Sequence, residues 1–231
     1  RKRMRMKNSF FATLKKYRHA WAFSYFALYL SWYIYLERTI TAKSAYHIMH
    51  SALDDYIPFN EYFIIPYYIW FLYVAGLVFF FFFKDKAEFY RYILFLAAGM
   101  SISLFICQIY PNGTDFRPVL DTNKNWATKL VSLIYASDTP TNVFPSIHVY
   151  NSLGTHLAIV KSKHFAHHPK LKVLSAVIAI SICMSTVFLK QHSIIDVTGA
   201  TILCYFAYAL IYSHAPAYQE QTEKETSQII G

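Results

Sequence analysis

The sequence predicts an all-α, polytopic membrane protein with six transmembrane helices and both termini in the cytoplasm. Three observations carry that expectation. The 231 residues are 55% hydrophobic and 19% aromatic but only 15% charged, too apolar for an ordinary soluble domain. The apolar residues gather into runs near the length of about 20 that a membrane-spanning helix needs. Lys and Arg gather in every second connection, as they do on the cytoplasmic side of membrane proteins. The mean hydropathy of +0.26 understates this, because 20 Tyr dilute it and tyrosine is at home at membrane interfaces.

Six runs are expected as helices: 21–36, 62–83, 92–109, 146–160, 173–189 and 194–212. The first three contain no charge, and the second runs through the unbroken Phe79 to Phe83 stretch. They form one membrane domain, 21–213, between a basic cytoplasmic segment, 1–20, and a polar tail, 214–231. Two long polar segments, 37–61 and 110–145, separate the runs on one side. Short basic connections separate them on the other. With the N-terminus inside, the cytoplasmic face carries Arg1 to Arg18, Lys84, Lys86, Arg91, Lys161, Lys163, Lys170, Lys172 and Lys224. The first helix reads as an uncleaved anchor, since no small-residue cleavage site follows it.

A net charge of +9 then describes a face that meets anionic lipid headgroups. It calls for no nucleic acid, and the Arg1 to Lys7 cluster reads as a topology signal. Cys107, Cys183 and Cys204 fall inside predicted helices without CxxC spacing and read as packing residues. His47, His50, His164, His167 and His168 read as loop histidines, and Asp54 and Asp55 as solvated loop charges. No metal or other cofactor is expected.

Chemistry concentrates in three stretches assigned to the same, extracytoplasmic side: Phe116-Arg117-Pro118, Phe144-Pro145-Ser146-Ile147-His148 and Lys190-Gln191-His192-Ser193-Ile194-Ile195-Asp196. His192 and Asp196 are four residues apart, so on a helix the carboxylate can hold one imidazole nitrogen while the other points away. Alone, such a pair reads equally as a helix-capping hydrogen bond. Pro145 suits the first turn of a helix, Ser146 adds a hydroxyl, and the free N–H groups there favour an anion. His148 follows in the same turn. Arg117 supplies a permanently charged planar fork that matches phosphate oxygens, although a surface pair with Asp115 would also account for it. Together these groups suit phosphoryl transfer without metal.

The order Arg-Pro, then Pro-Ser-Ile-His, then S-x6-H-x3-D from Ser185 to Asp196 resembles the three motifs of the phosphatidic-acid-phosphatase type 2 superfamily. The resemblance covers Arg117 to Asp196 in the motifs and most of the chain in topology. It implies a haloperoxidase-like helical bundle. It also implies that His192 attacks phosphorus, Asp196 orients and charge-balances His192, and His148 protonates the leaving alkoxide. Arg117 and Ser146 would hold the phosphoryl oxygens. Two family cations are absent, with Tyr110 seven residues before Arg117 and Thr186 after Ser185. Lys190 is the expected substitute, with Lys124 or Lys129 reaching in from the loop.

The expected function is hydrolysis of a lipid phosphate or diphosphate, of the phosphatidate, phosphatidylglycerophosphate or isoprenyl diphosphate class. The site would face outward from the plasma membrane. Two alternatives stand beside it. One is headgroup transfer, similar to that of sphingomyelin and inositol-phosphorylceramide synthases. The other is a membrane protein that binds lipid phosphate without turnover.

Overall fold

The computed structural model describes residues 16–212. Most of the predicted basic segment and the polar tail, including Lys224, lie outside the described residues. Among the described residues seven α-helices follow one another: α1 (Ser24–Thr39), α2 (Ile64–Lys84), α3 (Lys86–Ile109), α4 (Trp126–Ser137), α5 (Ile147–Lys161), α6 (Pro169–Phe188) and α7 (Ile194–Ile211).

Among the described residues four helices are long and apolar enough to cross a membrane: α2 with its leading turn (Glu61–Lys84), α3, α6 and α7. Their apolar character runs all round. Leu72, Phe79, Leu94, Val173, Ile202 and Leu210 are exposed on their outer faces, which is how a helix solvated by lipid differs from one in water. Six spans were expected, and among the described residues four helices have the length and apolarity for one. The helices α1 and α5 exist but run for 16 and 15 residues, about 24 and 22 Å against a hydrocarbon core of about 30 Å. α5 is also the centre of the bundle. His148, Val149, Tyr150, Asn151, Ser152, Gly154, Thr155, Ala158 and Ile159 are all buried along it, and it packs on α2, α3, α6 and α7.

The sequence did not lead us to expect α4, inside the polar segment 110–145. Its apolar positions Ala127, Val131 and Ile134 are buried at helical spacing on Ile64, Tyr67 and Leu189. Asn125 starts it with a capping box closed by Thr128. A helix of 12 residues with one apolar face leaves no long run to find.

Two ends of the bundle differ in kind. At one, Asp85 joins α2 to α3. It accepts the first N–H groups of α3 and meets Lys163 at 3.0 Å and His164 at 3.3 Å. Burial pushes its carboxyl up, but the Glu88 N–H and the Lys163 and His164 contacts outweigh that and hold it at about 2. His164 is therefore tied to a carboxylate rather than simply solvated. At the other end the long segments are stitched by short backbone pairings. β1 (His47–Ile48) runs parallel to β2 (Asn112–Gly113), and Gly113 also bridges Thr141.

Packing between α3 and α5 depends on two glycines facing two rings. A Cβ on Gly99 would lie 2.0 Å from the Tyr150 ring, and one on Gly154 would lie 2.1 Å from the Phe95 ring. The two rings stack on each other at 4.8 Å, and the Tyr150 hydroxyl donates to the Phe95 carbonyl at 2.8 Å. Neither ring can retreat without breaking this pairing. Gly154→Ala should therefore destabilise the protein by about 1–3 kcal/mol, the usual range for overpacking. Thermal unfolding in detergent checks it, and an unchanged midpoint would show that the helices can separate freely.

Candidate active site

His148 owes its place to a stop and a start. The chain leaves Val143 and Phe144, whose N–H groups both donate to the Asn112 side-chain oxygen, at 2.9 and 2.8 Å. It passes a cis Phe144-Pro145 peptide and enters α5 at Ser146, whose hydroxyl caps the helix by accepting from the Val149 N–H. In the first turn the His148 ring lies against Tyr67 at 4.6 Å and Trp70 at 4.5 Å, both on α2.

His192 is placed by the turn between α6 and α7. Lys190 adopts a left-handed backbone, φ 54°, which reverses the chain. The N–H groups of Gln191 and His192 then both donate to the Thr186 carbonyl at 3.0 Å. Ser193 caps α7 in a capping box with Asp196. One Asp196 oxygen accepts from the Ser193 N–H at 2.9 Å and lies 3.3 Å from His192 Nδ1. With Nδ1 facing the carboxylate, Nε2 is the nitrogen left for chemistry.

The two histidines meet. Their ring centroids are 5.8 Å apart, and both line a cavity of about 340 Å³ with Arg117, Gln191, Tyr67 and Trp70. This volume suits a small-molecule site. Tyr29, Leu30 and Tyr33 of α1 and Ser103, Leu104 and Cys107 of α3 also line it. The Ser146 N–H also donates to the Asp196 carbonyl at 3.3 Å, so the two histidine-bearing turns are joined directly.

Arg117 lines the cavity, but Asp115 is not its partner. Its Nη1 donates to the Asp138 carbonyl at 2.7 Å, and its Nη2 to the Thr139 carbonyl at 3.0 Å and to the Gln191 side-chain oxygen. The guanidinium carbon lies 4.6 Å from the Tyr135 ring centroid. Burial pushes its pKa down from the ordinary arginine value, and Asp138 opposes that. The Asp138 carboxylate takes the hydroxyls of Tyr33 and Tyr67, each at 3.2 Å.

The other expected phosphate ligands are elsewhere. Ser146 is fully buried, its hydroxyl engaged as the cap of α5. Lys190 points out of the cavity, because its Nζ donates to the Asp54 carbonyl at 2.7 Å and lies 5.5 Å from the Phe116 ring centroid. The left-handed turn that presents His192 inward sends the Lys190 side chain the other way. Lys124 pairs with Glu61 at 2.6 Å, and Lys129 is exposed on α4. Tyr110 stacks on His47, and Thr186 donates its hydroxyl to Cys183. Arg117 is the only Lys or Arg among the residues lining the cavity.

Sequence reasoning missed Gln191, Tyr67, Trp70 and Asp54. Gln191 adjoins His192 and could have been suspected from that alone. Tyr67 and Trp70 sit in an apolar run with no pattern to distinguish them. Asp54, read as a solvated charge, is 3% exposed. No family model, curated protein or solved structure matches this chain.

Asn112 should be a sensitive position for stability. Asn112→Ala leaves the Val143 and Phe144 N–H groups buried without their acceptor. It should cost about 1–3 kcal/mol per orphaned group, read as a lowered unfolding midpoint.

Proposed function

We propose that this chain is a membrane lipid-phosphate phosphatase of the phosphatidic-acid-phosphatase type 2 kind, working through a phospho-histidine. One observation carries the reading. His192, held at Nδ1 by Asp196, lies with its ring centroid 5.8 Å from that of His148, and both line one cavity with Arg117. A nucleophile, a proton carrier and a cation in one cavity are the parts that phosphoryl transfer needs.

In the proposed reaction His192 Nε2 attacks phosphorus as the P–O bond to the lipid breaks. His148, protonated once the anionic phosphate lies beside it, gives its proton to the leaving alkoxide. Water then attacks the phospho-histidine, the P–N bond breaks, and His148 takes the proton back as inorganic phosphate leaves. Asp196 offsets the positive charge that His192 gains. These groups cover every proton and charge in the sequence without a metal. An amphiphilic substrate fits the cavity's mixed lining, in which aromatic and aliphatic side chains from α1, α2 and α3 accompany the histidines and Arg117. The same reading includes six membrane passes with α1 and α5 counted, cytoplasmic termini, and a site facing outward from the plasma membrane.

A second reading has a specific observation in its favour. Arg117 is the lone cation among the cavity's lining residues, and its terminal nitrogens already serve carbonyls. So cation-poor a site suits a phosphodiester better than a phosphomonoester dianion. Headgroup transfer from a lipid to an alcohol would use the same phospho-histidine, with the alcohol in the place of water.

Phosphate release by the purified protein in detergent, over lipid monophosphates and diphosphates with chelator present, tests the first reading. We expect release that His192→Ala abolishes and that His148→Ala lowers about a hundredfold to ten-thousandfold. No release from any lipid would overturn it. Transfer from a phosphodiester to an alcohol would then establish the second reading, and silence there too would leave a binder.

A further inference from the structure

Asp54 lies in a single 3-10 turn, Ala52–Tyr56, in the segment between α1 and α2 that carries none of the three motifs. It is 3% exposed. Its Oδ1 accepts from the Ile194 N–H at 2.9 Å. Its Oδ2 accepts from the Ser193 hydroxyl at 2.5 Å and from the Ser51 N–H at 2.8 Å. Its backbone carbonyl takes the Lys190 ammonium at 2.7 Å. The Ser51 bond is local and belongs to a capping box. The other three cross to residues 190, 193 and 194, on both sides of His192. A buried carboxylate would ordinarily need a cation on its oxygens. Here the oxygens take neutral donors, and the lysine sits on the carbonyl.

The consequence falls on His192. Its one side-chain hydrogen bond among the described residues is the 3.3 Å contact with Asp196, which is long for a charge-assisted bond. So weak a bond cannot hold the ring alone, and its direction depends on where the backbone of 192–194 lies. Thr186 fixes that backbone from the α6 side, and Asp54 fixes it from the other. We propose that Asp54 is a positioning residue for His192, a clamp that keeps Nδ1 on Asp196 and Nε2 towards the cavity. This rests on the assignment of His192 as the nucleophile, but the clamp itself can be tested without turnover.

Asp54→Asn is a sharp probe because the change in shape is minimal. An amide has one acceptor oxygen and one NH2. If the NH2 takes the Oδ1 place it confronts the Ile194 N–H, and if it takes the Oδ2 place it confronts the Ser51 N–H. Either orientation sets donor against donor, so the clamp must open. Asp55→Asn is the control, since Asp55 is exposed and pairs with His50.

The experiment compares full-length wild type, Asp54→Asn and Asp55→Asn in detergent. It measures helical content, the 15N spectrum of labelled histidine, and kcat and KM for phosphate release from dioleoyl phosphatidate. We expect Asp54→Asn to keep its helical content while His192 loses its single Nδ1–H tautomer. Its kcat should fall on the order of a hundredfold, as a small misplacement of a reacting group does, with KM within about threefold. Asp55→Asn should match wild type throughout. An unchanged His192 spectrum in folded Asp54→Asn would overturn the proposal. If Asp54→Asn does not fold, Ser193→Ala, which removes one partner of the clamp, must shift the His192 spectrum or the proposal fails. If wild type releases no phosphate, the phosphatase reading fails, and the spectra alone still decide the role of Asp54.

Discussion

One oxygen of Asp196 serves both the Ser193 N–H and the His192 ring. The first contact starts α7, and the second orients the group on which the proposed chemistry depends. Helix and site therefore share one fully buried carboxylate, and neither can shift without the other. The backbone of the same residue accepts from Ser146, so the start of α5, with His148 in its first turn, is referred to the same point. The distance between the two imidazoles is thus set by backbone contacts at the ends of three helices. Helix ends are suited to this, because their free N–H groups and carbonyls need partners that the surroundings can supply.

Around that point the connecting segments act as walls. Asn112 holds the approach to α5, Thr186 holds the turn before α7, and Glu37 on α1 accepts from Thr139 and Asn142. The parallel pairing of 47–48 with 112–113 ties the first long segment to the second. Residues of α1, α2 and α3 add aromatic and aliphatic side chains to the lining of the cavity that holds the histidines and Arg117. Such a chamber suits a molecule with a charged end and a hydrocarbon end.

The sequence made the helices legible because apolar runs of spanning length leave few alternatives, and α2, α3, α6 and α7 fall where the runs do. It was less informative where length and burial diverge. α5 is central yet only 15 residues long, and α4 is amphipathic within a stretch that reads as polar. The His192–Asp196 contact was legible from its spacing, although it forms across the N-cap of α7, with His192 outside the helix, and not along one helix face. The cations were not, because the direction of a long side chain depends on the turn beneath it. Lys190 adjoins the site in sequence and leaves it in space once its backbone turns left-handed. Asp54 illustrates the reverse: nothing local marks a carboxylate that becomes buried against residues some 140 positions away.

The central claim is that His192 carries the phosphoryl group. Its most direct test is to incubate the protein with the radiolabelled lipid phosphate it turns over fastest, quench in alkali, digest, and map the label. The account predicts an acid-labile, alkali-stable phosphate on the peptide containing His192, absent from the His192→Ala protein. Turnover without a labelled His192 peptide, or with the label on another residue, would contradict it.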